Sequence, residues 1–230
     1  VKRPERWINA GVQAAWTWLQ RAGEISPGTR AGDAFGSLGV GSSIGFPMAT
    51  LMGARAIHVG ERTLIGRQVT LSVGYGPTAT VLPERGLVIG DRCVIGARTS
   101  LTAHESIVIG DDVWFGQDVF VSDASHGYQE LGAPIGLQLG EHQPVMIGAG
   151  SWIGHGAIIL PGTTIGENVV VAAGSVVRGV VEDRAIVGGA PARVLRRFEP
   201  TVGWVTPGGD VRPVLAPLAE RYDLTGVVTP

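Results

Sequence analysis

A single cysteine, Cys93, stands among 230 residues, so no intrachain disulfide framework holds this chain together. A reducing compartment is compatible with that usage. Charged residues are scarce, at 17%, and their signs nearly cancel, giving a formal charge of -2. That balance offers no basic face to nucleic acid or to an acidic membrane surface. No apolar run has the length of a membrane span. Residues 1–24 lack an apolar core followed by a small-residue cleavage site. The chain therefore reads as soluble and cytoplasmic.

Glycine is plentiful, with 36 residues in a chain that is 44% hydrophobic. No Gly-X-Y period accompanies it, which excludes a collagen-like chain. Tight turns repeated many times account for it better. Aliphatic residues recur every sixth position at Ile147, Ile153, Ile159, Ile165, Val171 and Val177. Small or β-branched residues follow four places later, at Ser151, Ala157, Thr163, Val169 and Ser175. Gly148, Gly154 and Gly166 each follow an aliphatic directly. Neither a helix nor a plain strand has a period of six. A short fixed period over this length predicts a parallel β-helix, each repeat forming one face of a coil.

Shorter runs of the same beat occur upstream, at Val59–Leu71, Ile89–Leu101 and Ile109–Val121. The phase slips between the last two, around His104 to Val108. Two longer interruptions, 72–86 and 122–144, are rich in Gly and Pro and are expected to project as loops. Trp7–Glu24 reads as an amphipathic helix, stopped by Pro27 and Gly28. Its apolar face could cap a coil end, pack on a neighbouring subunit or touch lipid. Three segments result: a helical extension over 1–30, a β-helix over 31–197, and an irregular tail over 198–230 with one short helix near Leu218–Leu224.

The run from Pro144 to Arg197 contains WIG at Trp152–Gly154, LPG at Leu160–Gly162, AAGSVV at Ala172–Val177 and GGAPARV at Gly188–Val194. This ordered set resembles the hexapeptide-repeat O-acetyltransferases, including the galactoside, maltose and streptogramin acetyltransferases. With the upstream hexads the resemblance covers roughly 55–197. It implies an all-β fold, the left-handed parallel β-helix, and a homotrimer with active sites between adjacent subunits. It also implies acetyl-CoA as donor, a hydroxyl of a sugar or saccharide as acceptor, and no metal.

The resemblance places the catalytic base on His126, at the start of the long loop. A sugar hydroxyl is a poor nucleophile near neutral pH, and a neutral imidazole can take its proton as the new bond forms. Asp123 could orient an imidazole or cap the loop. Gln138 could touch donor or acceptor, or brace the loop. His104 falls where relatives carry an acceptor-binding carboxylate, a departure in this chain. For acetyl-CoA the pattern carries onto His155, Ala173, Arg178, Gly179, Arg193 and Arg196. Guanidinium groups suit phosphate, and small residues let a pantetheine arm approach backbone amides. Relatives often have Thr-Lys where Arg178 and Gly179 stand.

Other readings share the fold. A different acyl group such as succinyl, or N-acylation of an amino sugar, uses the same scaffold. A γ-class carbonic anhydrase needs closely spaced zinc-binding histidines. His58, His104, His126, His142 and His155 contain no such pair. A non-catalytic scaffold is the remaining class.

Overall fold

The computed structural model describes residues 3–76 and 79–216. Among these residues the strands form three sheets of seven, ten and six strands. Short strands visit the sheets in rotation, each pairing in parallel with the strand one coil earlier and one coil later. The result is a three-sided prism, a left-handed parallel β-helix. The first face carries 57–59, 87–89 and 107–109. The second carries 64–65, 94–95 and 114–115. The third carries 70–73, 100–103 and 120–122.

The six-residue beat is the geometry of this prism. Each aliphatic of the beat points inward, and Ile89, Ile95 and Leu101 are each at most 1% exposed. The small residue four places later enters the same core beside a corner, as Thr63, Thr99 and Ser151 do. Its hydroxyl ties coils together. Thr63 Oγ1 donates to the Gly90 carbonyl at 2.7 Å and accepts from the Cys93 amide at 3.0 Å.

The glycine that follows many of these aliphatics has an equally physical cause. A Cβ placed on Gly154 would come within 2.6 Å of the Ala173 amide nitrogen and 2.7 Å of the Val171 carbonyl oxygen. Both are backbone atoms of the next coil, which cannot swing aside. Gly154→Ala is expected to cost about 1–3 kcal/mol, the usual range for forced overpacking. Urea denaturation measures it, and an unchanged midpoint would contradict this account of the repeat.

Cys93 occupies a small inward position, fully buried, with Sγ 3.1 Å from the Gly110 carbonyl oxygen. Burial pushes its thiol up to about 11. The thiolate is the reactive form, so the folded protein should resist iodoacetamide at pH 8. Labelling should become complete in denaturant, as read by mass spectrometry. Rapid labelling of the folded chain would contradict the burial.

Two corner ladders run up the outside. Arg92 and Arg98 sit at left-handed corner positions, with φ of 56° and 61°. Arg92 Nε lies 2.8 Å from Asp112 Oδ1, and Arg98 Nε 2.7 Å from Asp118 Oδ1.

The ends depart from the regular coil. Helix α1 spans Arg3–Ala22. Its residues from Glu5 to Leu19 are all exposed, Trp7, Trp16 and Trp18 included, so it lies off the prism and caps neither end in the single chain. Its base is anchored where Ile25 bridges Ile44 and Gly23 meets Phe46. Beyond residue 197 the chain is more regular than its Pro and Gly content suggests. Strand 192–199 turns back against 185–189, and strands at 203–205 and 211–212 extend the second sheet in antiparallel fashion. The alternation of Ala192, Val194 and Phe198 with Arg193, Leu195 and Arg197 is a half-buried strand pattern. The expected helix near Leu218–Leu224 lies outside the described residues. No helix among the described residues is long and apolar enough to cross a membrane.

Candidate functional site

The three interruptions singled out in the sequence all leave the prism at one edge, between the third face and the first. Residues 74–86, 104–106 and 123–144 all connect a third-face strand to the next first-face strand. A six-residue rhythm leaves no slack at the other two corners, so the irregular residues collect along a single edge. The first insertion starts after Val73 and the second after Ser122, since 72–73 and 122 still pair as strand.

His126 lies on this edge, exposed, in a loop closed by its own bridge to Leu139. Its Nδ1 is 3.3 Å from the Gln138 carbonyl oxygen. A proton on Nδ1 points at that oxygen and leaves the Nε2 lone pair free. The imidazole opens into a cleft of about 620 Å³, shared with Tyr128, Glu141, Gln143, Pro161 and Arg178. Arg178 also lines a second cleft with Arg193 and Arg197. One guanidinium thus joins the imidazole cleft to the arginines of strand 192–199. Arg193 Nη1 donates to the Ala192 carbonyl at 2.9 Å, and Arg196 keeps a buried Nη1 without a partner. Gly179 sits beside Arg178 with φ of 80°.

Gln138 and Asp123, each with two readings open from the sequence, make the bracing and capping contacts. Gln138 is 9% exposed. Its side chain braces the loop, donating to the Glu130 and Ala133 carbonyls and accepting from the Glu130 amide at 2.9–3.0 Å. It is its backbone oxygen that meets His126. Asp123 has no exposed surface, and its carboxylate accepts from the amides of His104, Glu105 and Ser106 at 2.7–3.0 Å. The imidazole beside it is that of His104, 3.5 Å away, rather than that of His126. Asp123 caps the slip in the beat. Tyr75 and His142, which the sequence did not single out, pack against His104. Their signal was their position in interruptions on the same edge.

His155 and Ala173 stand on a different edge, between the second and third faces, where both are exposed. Ala173 is followed by Gly174 with φ of 67°. His155 Nδ1 lies 3.6 Å from Asp118, whose carboxyl Arg98 holds below the usual carboxylate range. A single chain therefore does not bring His155 and Ala173 to His126. Around the second edge lie Trp114 and Trp152, paired across neighbouring strands, with Phe120 and Ile158 paired on the adjoining face. The two tryptophans are half exposed, at 51% and 55%. Clustered exposed apolar side chains of this size mark a contact surface. Among the described residues, no group of three or more His, Cys, Asp or Glu could hold a metal ion.

Residues 144–179 match the family described as bacterial transferase hexapeptide (six repeats). Residues 86–120 match the hexapeptide repeat of succinyl-transferase. A protein of Escherichia coli K12 named for lipopolysaccharide-biosynthesis O-acetyl transfer is 31% identical over 122 residues, 50% of this chain and 62% of that one. The galactoside O-acetyltransferase of the same organism is 33% identical over 98 residues, 40% of this chain and 45% of that one. The chain thus spans about half the length of these relatives. In fold it is similar to the N-acyltransferase AntD of Bacillus cereus, solved with dTDP and coenzyme A. The TM-score is 0.63 at 21% identity, covering 77% of this chain and 91% of that one.

Proposed function

Because this chain belongs to the hexapeptide-repeat transferases, we propose that it is an acetyl-CoA-dependent O-acetyltransferase acting on a saccharide hydroxyl. His126 is the general base. The hydroxyl oxygen attacks the thioester carbonyl while its proton passes to Nε2 of His126. The tetrahedral oxyanion then collapses, the carbon–sulfur bond breaks, and the leaving CoA sulfur takes the proton from the imidazole. The Gln138 carbonyl keeps the ring oriented throughout, because the proton on Nδ1 never leaves it. Arg178, Arg193 and Arg196 supply cations for the phosphates of the donor. Acetyl-CoA is an intracellular metabolite, which favours the cytoplasm as the site of reaction.

The carrying observation is the separation of His126 from His155 and Ala173 on two edges of one prism. A homotrimer that sets the first edge of one subunit against the second edge of its neighbour completes the site. It also covers Trp114 and Trp152. Subunit mixing tests this. His126→Ala subunits are refolded with subunits carrying Ala173→Trp, which blocks the donor groove at an exposed position. Each parent is expected to be nearly inactive. Random trimers from an equal mixture should regain activity at about a quarter of their sites, since a closed ring pairs each edge with a neighbour's. No recovery in mixed trimers would place the whole site in one chain and overturn the shared arrangement. Succinyl-CoA and an amino sugar, run beside acetyl-CoA and a neutral saccharide, test the choice of acyl group and acceptor atom.

A further inference from the structure

Three rings beside the His126 cleft have no task in that scheme. Tyr75 comes from the first insertion, His104 from the slip, and His142 from the end of the long loop. The His104 and His142 rings stack with centroids 5.4 Å apart and planes inclined by 26°. Tyr75 meets His104 edge-on at 4.9 Å, and its Oη lies 2.6 Å from His142 Nε2. Beneath them is the buried Asp123 carboxylate. His104 Nδ1 is itself buried and lacks a hydrogen-bond partner, though it sits 3.5 Å from Asp123 Oδ1. Asp123 fixes the backbone of His104 by accepting from its amide at 2.8 Å, which sets this ring edge beside the carboxylate without an aligned hydrogen bond to it.

The coil needs none of these side chains, because its core is filled by the hexad residues. Three excursions from three levels of the prism nevertheless converge on one spot. His142 lies between Glu141 and Gln143, both of which line the cleft, and Asp123 is three residues from His126. The cluster therefore adjoins the reacting centre.

We infer that Tyr75, His104 and His142 form a shelf for the ring of an uncharged saccharide, with Asp123 as the positioning residue that holds His104. This rests on the acyl-transfer reading of the cleft. Aromatic faces complement the C–H face of a pyranose, and imidazole and phenol edges can donate to and accept from its hydroxyls. Charge selects against a nucleotide diphosphate. Glu105 and Glu141 adjoin the two histidines in sequence, and Asp123 lies below. Among the described residues Arg178 is the one Lys or Arg lining the cleft. A polyanion placed on the shelf would meet carboxylates first.

The probe is p-nitrophenyl β-galactoside, with dTDP as the charged comparison. Ring resonances of His104 and His142 in the whole protein, assigned from the His104→Gln and His142→Gln variants, should move with the galactoside and stay still with CoA. Tyr75→Ala and His142→Gln should raise KM for the galactoside about tenfold, roughly one aromatic contact or hydrogen bond. Their kcat and KM for acetyl-CoA should hold. Acetylation of the galactoside with silent rings and unchanged KM overturns the shelf and leaves the proposed function standing. Ring shifts without acetyl transfer support the shelf and sink the proposed function. A stronger response to dTDP overturns the preference for an uncharged ring, and silence in every assay removes both.

Discussion

His126→Ala is expected to slow acetyl transfer to a saccharide by about 10²–10⁴-fold, the usual contribution of a positioned base. The side chain is exposed and contributes nothing to the buried core, so folding should be unaffected. Coenzyme A should bind the variant with unchanged affinity, because the arginines and the Ala173 corner lie on other coils. Calorimetry with CoA and a turnover assay separate the two quantities. Near-normal turnover by His126→Ala would refute the assignment of the base.

Asp123→Ala should be the most destabilising polar substitution on the same edge. The carboxylate is wholly buried and accepts from three successive amides. Removing it strands those donors away from water, at about 1–3 kcal/mol for each unsatisfied group. Relaxation and water entry recover part of that, so a net loss of about 3–5 kcal/mol is expected, as for other broken buried charge sites. Asp123→Asn should fall between, since its carbonyl oxygen still accepts while its NH2 faces the same amides. Denaturant melts give the values. A loss under about 1 kcal/mol for the alanine variant would show that the turn at 104–106 holds itself.

The prism was legible because its constraint repeats. One inward aliphatic, one corner glycine and one small residue recur until chance is excluded, and Ile153, Gly154 and Ala157 each do in the structure what the beat required. His126 was proposed from surrounding motifs, not from periodicity. For Asp123 and Gln138 the sequence left two readings open each and did not decide between them. Each turns on which neighbour a loop folds back to meet, and loop closure over 5 to 19 residues leaves no mark in local pattern. The same holds for Tyr75 and His142, which meet across 67 positions of sequence. The terminal hairpin was missed because Pro200, Pro207 and the nearby glycines read as breakers, when they serve as turns between antiparallel strands.

The confinement of these three excursions to one edge gives this scaffold a modular port. Strands on both sides of residues 123–144 keep their partners independently of the loop, Val121 against Leu101 and Ile159, Val145 against Ile107. Lengthening a loop is thermodynamically mild, about 0.6 kcal/mol for each doubling. A foreign segment inserted within 127–137, with Asp123, His126 and Gln138 kept, should therefore leave the coil register and the opposite corner intact. New acceptor preferences could then be installed as interchangeable cassettes on an unaltered donor-binding frame.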